Sequence, residues 1–528
     1  MNFRFGFFIY ILFLFSCSSK YDNSNLKIFK YNESNGISTL DPVFAKDKAT
    51  IWATSQVFNS LVKMGEDLQV EPSVASSWDI SEGGLLYTFY IREDVFFHDN
   101  KNFKKGKGRT VVASDFVYSF DRLLSQDLAA PGSWVFNNVS SYSAINDTIL
   151  QIYLKQPFPP FLSLLSMQYC SVVPFECAND EEFRSNPVGT GPFQFQYWKE
   201  GVKLVLRKNN NYFEQENGVK LPYLDAVSIT FIKDKQSEFL SFLQGDLDFI
   251  SGIDPSYKDE ILNRDGTLKQ KYSEKINLES LPFLNTEYLG FLLDGTSETS
   301  GNIYLRKAIN SAVDKDKMLK YFRNNVGIAA NNGFIPKGLP SFSDNLLYDE
   351  YNQSKALDYL EEAGFPNGVG LEPIILNTTS SYLDLCEFIQ FELKKIGIEL
   401  DIEVNPPSTH RQMVATSKLD FFRGSWMADY PDAENYLSLF YSGNFCPDGP
   451  NYTHFHNEEF DILYEKSVKE TNLEKRIEMY QKLDEIIMRN MAIIPLYYDQ
   501  IIRFTHKNIS GFKSNAQNNL NLIYLNKK

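Results

Sequence analysis

Between residues 373 and 404 the spacing of apolar positions changes rhythm in a way that dictates local structure. Leu385, Phe388, Ile389, Leu393 and Ile396 recur every three or four residues, a single stripe on an α-helix covering 383–396. Gly397 follows, where a helix end favours a residue free to turn left-handed. Ile398, Leu400, Ile402 and Val404 then alternate with Glu399, Asp401 and Glu403, the period of a half-buried strand. With Pro373, Ile374, Ile375 and Leu376 ahead of it, this stretch predicts a β-α-β unit and so an α/β architecture. Leu305, Ala308, Ile309 and Ala312 mark a second amphipathic helix. A third carries Leu473, Ile477, Tyr480, Leu483 and Ile487 on its apolar face, opened by a capping box of Thr471 and Glu474. It leads into IIPLYY (493–498), read as a short buried strand.

Length adds to this picture. A chain of 528 residues can bury several cores and predicts two to four domains. With 43% hydrophobic and 23% charged residues the composition is that of an ordered globular protein. The formal net charge is −15, and loss of residues 1–16, whose only charge is Arg4, would make it −16. Such a balance excludes a nucleic-acid partner, which requires a basic footprint. Aromatic residues make up 15%, enough to supply both cores and the walls of a polyspecific pocket.

The N-terminus speaks to compartment. Residues 5–15 form an apolar run of 11, too short to span a bilayer and of signal-peptide length. It ends in Leu14-Phe15-Ser16-Cys17, which resembles a bacterial lipobox and implies lipidation of Cys17, although Phe15 stands where a small residue is usual. The alternative is ordinary cleavage near Ser16. Residues 18–25 (SSKYDNSN) read as a polar tether. Cys170, Cys177, Cys386 and Cys446 remain, with a 170–177 disulfide as an option that spacing cannot establish.

Candidate chemistry concentrates at 421–441, FFRGSWMADYPDAENYLSLFY, where Arg423 and Asp429 flank Trp426 in apolar surroundings. A buried lone charge is costly, so each needs an opposite charge. In extended chain, residues six apart share a face, so one cation and one anion would look into a single cavity with an indole between them. A free peptide carries the complementary ends. The same spacing also allows an internal ion pair or two solvated charges. Six extended residues span about 20 Å, so both would grip one short guest only if the strand bends.

This segment is similar to the ligand-contacting stretch of the oligopeptide- and dipeptide-binding proteins of ABC importers, extracellular solute-binding protein family 5. Further blocks resemble the family in its order: 40–62, 71–100, 111–124, NPVGTGPFQF (186–195), 304–318 and IIPLYYDQ (493–500). The resemblance implies a bilobal periplasmic-binding-protein fold, two α/β lobes joined by a hinge with an extra domain. It implies lobe I at 26–56, 187–278 and 496–528, the extra domain at 57–186, and lobe II at 279–495, after a signal peptide at 1–16 and a lipidated tether at 17–25. Crossings near 278 and 495 would form the hinge. Residue by residue, Asp429 would receive a peptide's α-amino group and Arg423 its carboxylate. Trp426, Met427 and Tyr430 would line the ligand site, and Tyr31 or Asn32 would touch it from the other lobe. Ala433 stands where the family more often has proline.

The function implied is capture of oligopeptides for import, with an ABC permease and a membrane (through the lipid) as partners, a monomeric state and a cell-envelope location. The alternatives are the same fold carrying an oligosaccharide, a metal chelate, haem or an opine, or acting as a sensor without transport. No catalytic role and no cofactor is expected, because G-x-S-x-G, H-E-x-x-H and Walker A sequences are lacking and His454 and His456 alone cannot complete a metal site. Gly189 and Gly191 read as structural, suited to positive φ where a strand begins, and 104–109 (KKGKGR) as a solvated loop.

Overall fold

The computed structural model describes residues 26–295, 297–346 and 350–528. Cys17, the apolar run at 5–15 and the tether lie outside the described residues. The β-α-β reading holds: Ile374–Thr378 and Leu400–Val404 pair in parallel, joined by the helix Leu383–Lys394, and Gly397 adopts φ 87°. The helix expected around 305–312 is Ile303–Ala312. The third helix, Leu473–Arg489, begins one residue later than the capping box implied. Asn472 is its cap, its side chain accepting the Lys475 N–H at 3.0 Å.

One sheet of 11 strands runs through the molecule. Its order is Leu400–Val404, Ile374–Thr378, Phe421–Met427, Ile276–Phe291, Ile493–His506, Phe249–Ser251, Ile28–Asn32, Ala226–Thr230, Lys203–Lys208 and Phe193–Lys199, with Ile328–Ala329 alongside Ile493–His506. The strand read as the short IIPLYY is thus 14 residues long. Its apolar start hid a continuation through Arg503, a buried cation that sequence alone does not mark as strand. Ile276–Phe291 and Ile493–His506 pair antiparallel, from Ile276 opposite His506 to Gly290 opposite Ile493. The ladder runs unbroken past 278. It slips between Pro282 and Thr286, opposite Gln500 and Tyr498, and again between Glu287 and Tyr288, opposite Tyr497 and Pro495; Pro282 and Pro495 have no N–H to give.

Cores lie on either side of these slips. Phe29, Trp52, Val227 and Ile229 belong to a core that also holds Phe89, Leu150 and Ile152 of the four-stranded sheet formed by Ala75–Ser81, Leu86–Ile91, Ile149–Leu154 and Val139–Asn146. Beyond the slips, Leu289, Leu305 and Ile389 pack on one face of the sheet, and Tyr288, Phe422, Tyr436 and Leu483 on the other. Glycines 189 and 191 are needed for close approach and not for positive φ. A Cβ on Gly189 would lie 2.1 Å from the Val57 carbonyl oxygen, and one on Gly191 would lie 2.5 Å from the Val57 carbonyl carbon. His98 closes this junction, its Nε2 lying 2.9 Å from the Gly191 oxygen. All four described cysteines are free and buried.

Candidate functional site

Phe421–Met427 pairs antiparallel with Ile276–Phe291 over seven rungs, from Phe421 opposite Phe291 to Met427 opposite Asn285. On its other side it has one partner rung, Asn377 with Phe422. Main-chain groups alternate between the two edges of such a strand. The Ala428 N–H reaches the Leu284 oxygen at 2.9 Å, so even-numbered residues face the long strand. The Arg423 oxygen lies 2.9 Å from His410 Nε2 on the opposite edge. Ser425 and Met427 therefore present their N–H and C=O groups along an edge with no strand beside it among the described residues.

The strand ends at Met427, and Asp429 stands in the turn beyond it. Asn435 holds this turn: its Oδ1 accepts the Trp426 indole N–H at 2.9 Å and the Asp429 backbone N–H at 3.1 Å. Its Nδ2 is 3.5 Å from Asp429 Oδ2, a long contact. Among the described residues no lysine, arginine or histidine pairs with Asp429. The residue is exposed, and its charge acts on the hydroxyls of Tyr169, Tyr436 and Tyr452. Desolvation raises its carboxyl above the usual aspartate range, opposed only by Asn435.

Arg423 sits differently. It is 8% exposed, with Nη2 2.9 Å from Glu287 Oε2 and its guanidinium 3.1 Å over the Tyr382 ring. Nε and Nη2 of Arg423 and Oε2 of Glu287 lack a well-aligned hydrogen bond, so the contact is an ion pair without fork geometry. Burial would lower the Arg423 pKa and raise that of Glu287. Burial is the largest single influence on each; for Arg423 the Glu287 charge, Tyr382 and Tyr497 together overcome it and the pKa is raised, while for Glu287 burial wins and its pKa is also raised. Tyr382 donates to Glu287 Oε1 at 3.3 Å. Arg423 and Asp429 thus do not look into one space as the spacing suggested, because Arg423 has turned inward to a carboxylate of its own chain.

The remaining site candidates divide. Trp426 is half-buried, its ring 6.5 Å from Tyr452, and Met427 is exposed. Tyr430 is buried, donates to Glu434, and lies 6.3 Å from Trp134, which reaches it from the 57–186 segment. Asn32 is engaged internally: its Oδ1 accepts the Ile232 N–H at 2.7 Å and its Nδ2 donates to the Ile232 oxygen at 2.9 Å. A cavity of about 220 Å³ lies where the two long strands slip, lined by Lys48, Lys258, Phe283, Arg323, Asp499 and Gln500 among others. Asn435, Glu287, Tyr169 and Trp134 were not singled out from sequence. Glu287 carried a signal, a lone carboxylate in the otherwise apolar TEYLGF.

The family model for bacterial extracellular solute-binding proteins, family 5 Middle, matches residues 69–445. The Heme-binding protein A of Haemophilus influenzae is 28% identical over 468 residues, 84% of this chain and 82% of that protein. The Dipeptide-binding protein of Escherichia coli is 24% identical over 480 residues, 86% of each chain. Among solved structures, the ABC transporter-associated periplasmic binding protein DppA from Helicobacter pylori, in complex with peptide STSA, superposes with a TM-score of 0.75 at 25% identity, covering 95% of this chain and 98% of that one.

Proposed function

Because the chain belongs to the family 5 bacterial extracellular solute-binding proteins, we propose that it captures oligopeptides between its lobes and delivers them to an ABC permease. The observation that carries this reading is Asp429, a carboxylate held in a turn by Asn435, open to solvent and without a cationic partner among the described residues. Such a group suits the ammonium end of a guest. The free edge at Ser425 and Met427 suits its backbone, which would add as a further strand. Trp426 and Met427 would line a side-chain pocket, with Tyr430 behind the turn.

The proposed domains are 26–56 with 187–278 and 496–528, then 57–186, then 279–495, with the hinge at the ladder slips near 282–288 and 495–500. The Trp134–Tyr430 ring pair already joins 57–186 to the site segment, and a closed state would keep it. Cys17 would carry a lipid anchor to an envelope membrane, and among the described residues no helix is long and apolar enough to cross one. A monomeric receptor without catalytic activity completes the proposal.

The named relatives include a haem-binding protein, so haem is the second reading. An unpaired carboxylate favours the peptide, since haem presents anionic propionates that Asp429 would repel. Mass spectrometry and visible absorbance of ligand carried through purification decide between them. Peptides in the denatured eluate support the proposal; porphyrin absorbance without peptides refutes it.

A further inference from the structure

The cleft's charges are distributed unevenly. Every cation that lines the cavity at the slip, or lies in the Phe421–Met427 strand, already has a carboxylate. Lys48 lies 3.7 Å from Glu33, Lys258 3.3 Å from Asp259, Arg323 3.2 Å from Asp499 and Arg423 2.9 Å from Glu287. Lys48 is the loosest of these and half-exposed; Arg423 is the most enclosed, and both arginines meet carboxylates that are themselves largely enclosed. Glu287, Arg423, Arg323 and Asp499 sum to zero, and Tyr382 lies against the Arg423 guanidinium. A guest carboxylate placed there would give the group a net negative charge in a desolvated setting, where uncompensated charge is costly. Asp429 stands alone with the opposite demand.

We infer that this protein reads the amine end of its guest by charge and does not read the carboxyl end. The ligand class is then peptides with a free N-terminus regardless of whether the C-terminus is a carboxylate, an amide or a continuing chain. The inference rests on the peptide reading proposed above, and it turns on Glu287: that side chain neutralises the charge of the one arginine whose position suited a carboxylate. Glu287 is accordingly a specificity-determining residue through Arg423.

The test uses the mature full chain and one pool of random tetrapeptides made in three forms: free acid, C-terminal amide and N-acetylated. Retention on the immobilised protein, quantified by mass spectrometry, gives relative affinities. The inference expects acid and amide pools to bind within about threefold of each other and the acetylated pool to be lost. If the acid pool binds and the amide pool is weakened more than tenfold, Arg423 or another cation holds the carboxylate and the inference falls while the peptide reading stands. If no pool binds, both fall together. Glu287→Gln supplies a second readout. Its neutral, nearly isosteric side chain frees the Arg423 charge, so acid peptides should gain about tenfold over amides, and unchanged discrimination would overturn the role given to Glu287.

Discussion

Replacing Asp429 by asparagine keeps the shape of the side chain and removes its charge. An ammonium about 3 Å from a carboxylate gains roughly 5 kcal/mol at an effective dielectric near 20. Solvent access reduces that figure, and hydrogen bonds to charged groups contribute about 1.5–3 kcal/mol net. A loss of about 2–4 kcal/mol follows, a ~30- to 1,000-fold weaker Kd for peptides with free amines. Stability should move the other way. Desolvation raises the Asp429 carboxyl pKa, so ionising it costs the native state something that asparagine avoids. The variant should therefore melt at the same temperature as the parent, or slightly above it, at neutral pH. In the parent, affinity should fall as pH drops through the raised carboxyl pKa, while the ligand amine stays protonated throughout. That fall should begin above the range of an ordinary aspartate and vanish in the variant. Isothermal titration across pH, alongside thermal melts, measures all three. A Kd within threefold of the parent would refute the reasoning, as would weaker binding accompanied by a large loss of stability.

Three further outcomes are expected. Asn435→Ala removes the acceptor shared by Trp426 Nε1 and the Asp429 N–H, so peptide affinity should drop about tenfold, the indole emission should shift, and stability should fall by about 1–3 kcal/mol; unchanged emission would contradict the clamp. Trp134→Ala removes a ring pair worth about 0.5–1.5 kcal/mol between 57–186 and the site segment. Affinity should weaken about 2- to 10-fold through a faster off-rate, read by surface plasmon resonance. Gly189→Ala would drive a Cβ to 2.1 Å from the Val57 oxygen, a backbone clash costing about 3 kcal/mol or more, seen as a lower urea midpoint.

The sequence made some of this legible because the signal was local. Periodicity identified the 383–396 helix and the strand after it, since an apolar stripe and an alternating run depend on neighbours a few residues apart. Gly189 and Gly191 were recognisable as structural, but their reason, contact with Val57, joins segments far apart in the chain. Arg423 shows the same limit at the site. Spacing marked it as a charge needing a partner and could not reveal Glu287 across the sheet. Asp429 stands out as a candidate only through the resemblance of its segment to peptide-binding proteins, whereas Asn435, six residues on, looks like an ordinary turn residue. What holds a side chain in place is largely tertiary, and one-dimensional spacing records only its near end.

A crystal structure of the protein with a bound tetrapeptide measures the central claim directly. The account predicts the peptide ammonium within about 3 Å of the Asp429 carboxylate, with the peptide backbone paired to Ser425 and Met427. A peptide whose amine lies elsewhere, with Asp429 bonded only to its own chain, would contradict it.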